Sequence, residues 1–350
     1  MKKKNIFIGL ALSLAVTGCG KEALENTNNN VKEEVKQEEN EEVKEAKTEK
    51  KDESKVIYAS FYPIYNLTKQ IAGDKFDVKA FNSLTTESHD FEPSAKEIAE
   101  LSKSQLIFMN GAGMEDWKDD VNETVDITMV DTSEGLDLIK ADHDHEDAED
   151  HDHEDAEDHD HDHDHDHEEG EHHHHHGEFD PHTWLSPVNA KAQAKVIADK
   201  LSEIDSANKD YYQKNYEEIA KEFDEIINEY KEKFAKVENN KFIVPHEAFG
   251  YVARDFNLEQ IPLASLTSTA DPDAKVMKEV TDLAKKDAIK TVFFEKGGSD
   301  KAAKTIAEEI GAETAPLSTM EFASEEEIEK EVTIQEIIKE NLENIYKSLA

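Results

Sequence analysis

The sequence predicts an α/β protein of two lobes, each a parallel-type sheet flanked by helices, with one long helix joining them. Three observations carry this expectation. Strand-like runs alternate with amphipathic helical stretches from Val56 onward, the alternation starts afresh near residue 241, and a single apolar stripe at helical spacing lies between the two sets.

In the first set the runs VIYASFY (56–62), DVKAF (77–81), LIFMNG (106–111) and DITMVD (126–131) are short, rich in β-formers and bounded by turn residues. Between them, PIYNLTKQIAG and EPSAKEIAELSKS have helical spacing with start or stop signals. The second set comprises KFIVPH (241–246), EQIPLA (259–264), TVFFEK (291–296) and ETAPLS (313–318), closed by a helix from about Ile334 to Leu349. The connecting stripe places apolar residues at 212, 216, 219, 223, 226, 230 and 234, one face of a helix expected over residues 206–237. A helix of that size runs roughly 45 Å, enough to cross a domain. The expected lobes are therefore residues 56–205 and 238–350.

The ends and the insert follow different rules. Lysines at 2 to 4, an apolar run from Ile6 to Val16 and the sequence Val-Thr-Gly-Cys read as an export signal over residues 1–19, too short to span a bilayer. Cys19, the single cysteine, stands where a bacterial lipoprotein would be cut and lipidated, which leaves no thiol for metal binding, catalysis or a disulfide. Residues 20–55 are dominated by Glu, Lys and Asn and read as a disordered, charged tether. The repeated octapeptide HDHEDAED at 143–150 and 151–158, His/Asp alternation through His167 and five consecutive histidines make residues 142–178 a second disordered segment, rich in His and Asp.

The formal charge is −42, and nineteen acidic residues fall between Ala141 and Phe179 without one Lys or Arg. Such a surface argues against nucleic acid and against a polybasic membrane patch, and it attracts cations.

The chain has 17 histidines, of which fourteen lie in the insert: His143, His145, His151, His153, His159, His161, His163, His165, His167, His172, His173, His174, His175 and His176. These are expected to be weak, auxiliary zinc ligands that collect or sense the ion, or else an incidental, dispensable charge run. Only His89, His182 and His246 remain, each just past a strand or in a loop with Pro close by: ESHDFEPS, FDPHTWLSP and FIVPHEAFGY. Ligands of open α/β sheets bind beyond the carboxyl ends of strands, which points His246 into the crevice between the lobes, with Glu295 at the end of TVFF as a candidate carboxylate. Three imidazoles and one carboxylate suit Zn²⁺, and four protein donors close its shell, leaving no position for a hydrolytic water. Asp90 and Asp180, next to two of the histidines, are candidate acceptors for the imidazole N–H that faces away from the metal, or simple loop aspartates.

The blocks HDFEPS, NGAGMEDW, DPHTWLSP, HEAFGY and FFEKGGS resemble those of the metal-binding lipoproteins of bacterial zinc and manganese ABC importers, the cluster A-I solute-binding family. The resemblance runs from Val56 to the C-terminus apart from the insert. It implies two pseudo-symmetric lobes on one rigid helix, a single metal between them held by His89, His182, His246 and Glu295, an ABC permease as partner, a membrane attachment through lipid and a monomer outside the cytoplasmic membrane. Manganese-type members have Glu where this chain has His246 and a further Asp near the end of the domain. The stretch APLSTMEFASEEE has no Asp, and a nitrogen-rich donor set favours zinc. The function expected is therefore capture of Zn²⁺ for uptake, without enzymatic activity. Alternatives are a manganese- or iron-binding member of the family, a surface adhesin, as some members are described, and a zinc hydrolase, which would need an exchangeable water.

Overall fold

The structure, a computed structural model, describes residues 55–89, 91–141, 177–266 and 272–350. Cys19, Asp90, the tether and the fourteen insert histidines lie outside the described residues. Among those described, no helix is long and apolar enough to cross a membrane.

The first lobe contains β1 (Val56–Ala59), α1 (Tyr62–Ala72), β2 (Asp77–Ala80), α2 (Ala95–Leu101), β3 (Leu106–Met109), α3 (Lys118–Thr124), β4 (Thr128–Asp131) and α4 (Pro187–Ile204). The linking helix is α5 (Lys209–Phe234). The second lobe contains β5 (Lys241–Val244), α6 (Gly250–Phe256), β6 (Glu259–Pro262), α7 (Ala274–Lys286), β7 (Thr291–Glu295), α8 (Lys301–Ile310), β8 (Glu313–Leu317), α9 (Glu325–Glu329) and α10 (Ile334–Leu349). All strand pairs are parallel, in the orders β2-β1-β3-β4 and β6-β5-β7-β8. Both sheets thus have one topology, and in each the order reverses between the first and third strands.

Alternation along the strands explains their continuous apolar character. Ile57, Ala59, Leu106 and Phe108 face a central core, while Tyr58, Ile107 and Met109 face an outer one with Trp117 and Val121. The second sheet repeats this: Phe242, Val244 and Phe293 turn to the centre, Ile243 and Val292 to an outer cluster with Ile306. A parallel sheet covered on both faces needs apolar residues at every position.

The long helix is shorter than its expected range because the chain first makes a 3₁₀ turn at Ser206–Asn208, held by Asp205, which accepts hydrogen bonds from Asn208 Nδ2 and Tyr212 OH at 2.7 Å each. Its 26 residues span about 39 Å. The expected stripe is buried at Tyr212, Ile219, Phe223, Ile226, Tyr230 and Phe234, with Tyr216 half-buried. Through this face α5 packs on α1 and α4 of the first lobe and on α6 and α10 of the second. One apolar cluster consequently runs from Leu67 and Phe108 through Phe223 and Tyr230 to Phe249 and Ile338. The lobes also meet directly where Tyr62 OH and Asn66 Nδ2 of α1 donate to the carbonyl of Val332, at 3.0 and 2.9 Å.

Candidate metal centre

The carboxyl ends of both sheets face one crevice, and each histidine reaches it by a different local device. His182 lies in a tight segment ahead of α4. Ser186 caps that helix, its hydroxyl accepting from the Val188 N–H at 3.1 Å, and Pro187 takes the first helical position, where a missing N–H costs nothing. A 3₁₀ turn over Thr183–Leu185 buries Trp184 edge-on against Phe61, with ring centroids 4.8 Å apart, and its indole N–H donates to the Thr319 carbonyl at 2.6 Å. Asn110, just after β3, donates to the Pro181 carbonyl at 2.8 Å and accepts from Thr183 Oγ1 at 2.7 Å. Both peptide units beside His182 are therefore fixed. His246 follows β5 in a turn closed by Ala248 N–H donating to its carbonyl at 2.8 Å. His89 stands in the long connection after β2, where Asn82 Nδ2 donates to Ser88 Oγ at 3.1 Å.

The structure brings the three imidazoles together and sets a different carboxylate against them. Glu321 Oε1 lies 3.5 Å from His89 Nε2, 3.3 Å from His182 Nε2 and 3.3 Å from His246 Nε2, and the Nε2 atoms of His89 and His182 are 3.2 Å apart. Glu295, expected in this position, reaches only one of them, its Oε2 lying 3.9 Å from His246 Nδ1. The reason is local. The Thr319 hydroxyl donates to Glu295 Oε1 and holds that carboxylate to the side. The turn after β8 meanwhile places Met320 at φ 59°, a left-handed conformation uncommon outside glycine, and this aims Glu321 inward. His182, His246 and Glu321 are 0, 3 and 1% exposed.

Tetrahedral zinc bonds of about 2.0–2.1 Å put neighbouring donors about 3.3–3.4 Å apart. Four of the six donor separations, 3.2 to 3.5 Å, bracket that value, and all four donors lie within 4.8 Å of one another. Both oxygens of Glu321 and Nε2 of His246 are buried with no hydrogen-bond partner among the described residues. Unpaired buried polar atoms cost stability unless something else satisfies them, and a cation at the centre of this tetrahedron does so.

Asp180 organises the site from behind. Its Oδ1 lies 2.9 Å from the His182 backbone nitrogen and 2.8 Å from Nδ1, accepting from both. A carboxylate can only accept, so in the neutral imidazole that binds a metal the proton belongs on Nδ1 and the Nε2 lone pair faces Glu321 and the other imidazoles. Tyr251 of the second lobe donates to the Asp180 carbonyl at 2.7 Å, tying this support across the crevice.

The metal-free charges follow. Burial opposes a charged His182, but Asp180 and Glu321 outweigh it and hold the imidazole up at about 9. Burial likewise opposes ionisation of Glu321, yet His182, His246 and His89 keep it well below the usual carboxylate range. Glu295 is raised by burial and by repulsion from Glu321. Glu87 is pushed up to about 9 by burial and by Glu321 beside it.

The family described as "Zinc-uptake complex component A periplasmic" matches residues 57–348. The chain belongs to this family. The component A proteins are extracytoplasmic, zinc-binding parts of uptake systems, which agrees with a buried three-histidine, one-carboxylate site. The chain is 36% identical over 297 residues to the high-affinity zinc uptake system protein ZnuA of Bacillus subtilis, covering 84% of this chain and 87% of that protein. The structure of the Zn(II)-bound ZnuA-like domain of Streptococcus pneumoniae AdcA is similar at 26% identity and TM-score 0.68, over 85% of this chain and 99% of that one. The laminin-binding protein of Streptococcus agalactiae, described as bifunctional with adhesin and metal transporting activity, is similar at 27% identity and TM-score 0.67, over 85% and 100%.

Proposed function

We propose that His89, His182, His246 and Glu321 chelate one Zn²⁺ in the crevice, and that the protein presents this ion to the permease of an ABC importer. The carrying observation is the set of donor separations, 3.2 to 3.5 Å, around a buried and unpaired carboxylate. Four protein donors close a tetrahedral shell, so the ion is cargo and not a hydrolytic centre. Glu321, not Glu295, is the fourth ligand in this reading, and Asp180 orients His182 through its far nitrogen. Three nitrogens and one oxygen favour Zn²⁺ over the harder Mn²⁺. Lipidation at Cys19 anchors the monomer to the outer face of the cytoplasmic membrane, and the insert histidines bind further zinc weakly.

The test is the full chain purified without an affinity column, its metal content measured, followed by competition among Zn²⁺, Mn²⁺ and Fe²⁺. One tightly held zinc and a tetrahedral absorption spectrum after substitution by Co²⁺ are expected. A preference for Mn²⁺, or a six-coordinate cobalt spectrum, rejects the assignment. Deleting residues 142–177 should remove weak sites and leave the tight one.

A further inference from the structure

Beside the tetrahedral site, and sharing one residue with it, Glu87, Glu295 and Glu321 bring carboxylate oxygens to within 4.8 Å of one another. Each member is held so that one oxygen is occupied and another is available, or so that both are. Glu87 Oε1 accepts from the backbone N–H of Ser88 at 2.8 Å and of His89 at 3.4 Å. Glu295 Oε1 accepts from Thr319, which leaves Oε2 toward the crevice. Glu321 is almost fully buried, neither of its oxygens has a hydrogen-bond partner among the described residues, and the carboxylate whose Oε1 faces the imidazoles also comes within 4.8 Å of Glu87 and Glu295. The nearest cation in sequence, Lys296, is engaged elsewhere, with Glu327 at 3.0 Å and Glu340 at 3.3 Å.

Position gives the cluster its meaning. Glu87, Glu295 and His246 line a cavity of about 220 Å³ together with Phe322, Pro272 and Ser299. From this cavity Glu87, Glu295 and the His246 imidazole are all reached, whereas Glu321 is not part of its lining.

We propose that Glu87, Glu295 and Glu321 form a transient all-oxygen site for a divalent cation, through which zinc enters and leaves the imidazole site. The proposal rests on the four-ligand reading above. Carboxylates alone bind zinc weakly and exchange it readily, whereas imidazoles hold it, so the ion moves down a gradient of donor strength with Glu321 bound at both stages. Sharing Glu321 lets ligands be exchanged one at a time, without a bare ion in a buried space.

A stepping stone alters rates and leaves the end states alone. The test is stopped-flow zinc association, followed by the emission of the two tryptophans, of which Trp184 lies beside His182, and zinc release driven by a chelator, both on the full chain and on Glu87→Gln. Gln keeps an oxygen for the two backbone N–H groups and cannot lose a proton to become the anionic carboxylate that a cation would bind. Association and release are both expected to slow by a common factor of at least about five, with the dissociation constant and the tetrahedral cobalt spectrum unchanged. Glu308→Gln, a charge removed from exposed α8, should leave both rates alone. If Glu87→Gln weakens binding by speeding release, or leaves both rates as they were, the transient site does not exist. Loss of the tetrahedral cobalt spectrum in Glu87→Gln would instead indict the four-ligand assignment. Glu295→Gln gives the same readout if the first variant does not fold.

Discussion

Replacing Glu321 by Gln tests the site most directly, since the side chain keeps its shape and loses its charge. In the parent, zinc must displace a proton from His182, whose metal-free pKa of about 9 makes that competition cost about 100-fold at pH 7. Losing the one anionic donor should weaken zinc by about three orders of magnitude at pH 9 or above, because even groups that only orient a ligand are worth about 10–100-fold. Glu321 also helps to hold the His182 proton, so the variant faces less competition near neutrality. The loss measured at pH 7 is therefore smaller, about 100-fold. Competition with a chromogenic zinc chelator at both pH values reads the two numbers. Parental affinity in Glu321→Gln, together with a large loss in Glu295→Gln, would falsify the assignment.

Three further outcomes follow from the geometry. Asp180→Asn should cost about 10–100-fold in zinc affinity, and should reduce the protons released on binding at pH 8, a quantity that calorimetry in buffers of different ionisation enthalpy reports. In the metal-free protein the His182 pKa is raised from 6.5 to about 9, so its contribution, about 3 kcal/mol, is complete below pH 6.5 and is lost as pH rises through 9. The raised Glu87 acts in the same direction, so the metal-free melting temperature should fall across that window, while saturating zinc removes the trend. Phe223→Ala in α5 should cost about 3–5 kcal/mol, and because Phe223 belongs to a core that both lobes share, denaturant should still unfold the protein in one transition. Two separate transitions would mean that the lobes are independent.

The fold was legible because its two signals are physical and local. Strands buried on both faces must be apolar throughout, and a helix buried along one side must repeat at 3.6 residues, as Tyr212 to Phe234 do. The three histidines were legible by elimination, once the insert had been set apart by composition. The carboxylate that the structure sets against them was not. With 82 acidic residues in the chain, one inward carboxylate has no compositional mark, and the rule that ligands lie at strand ends selects Glu295, which does end β7 at the crevice. Glu321 instead lies four residues beyond β8, and its direction comes from a left-handed backbone at Met320 that no residue type announces. A signal was present nonetheless. In STMEFAS, Glu321 is a lone charge between Met and Phe, a setting in which a solvated glutamate has little reason to occur. The pairing of Asp180 with His182 was suggested by adjacency, but its two contacts to a single oxygen depend on the turn that Trp184 anchors.

The shared core around α5 bears on how a loaded molecule is told from an unloaded one. A binding protein whose lobes swing on a flexible hinge announces its cargo by its outline, and spends ordering entropy each time it closes. Here that entropy is spent once, during folding, because the lobes cannot part without exposing Phe223, Tyr230 and Phe234. Loaded and unloaded forms are therefore expected to have nearly the same silhouette. If the chain hands zinc to a permease as proposed, recognition would then depend on small features at the crevice rim. Two contacts that stitch the lobes together beside the histidine cluster are suited to this: Ser88 Oγ donating to the Glu321 carbonyl at 2.6 Å, and Ala323 N–H donating to that of Leu84 at 2.7 Å. Prising these apart costs about 1 kcal/mol each. A partner that gripped the His89 and Glu321 loops could thus withdraw two donors together while the frame stayed still.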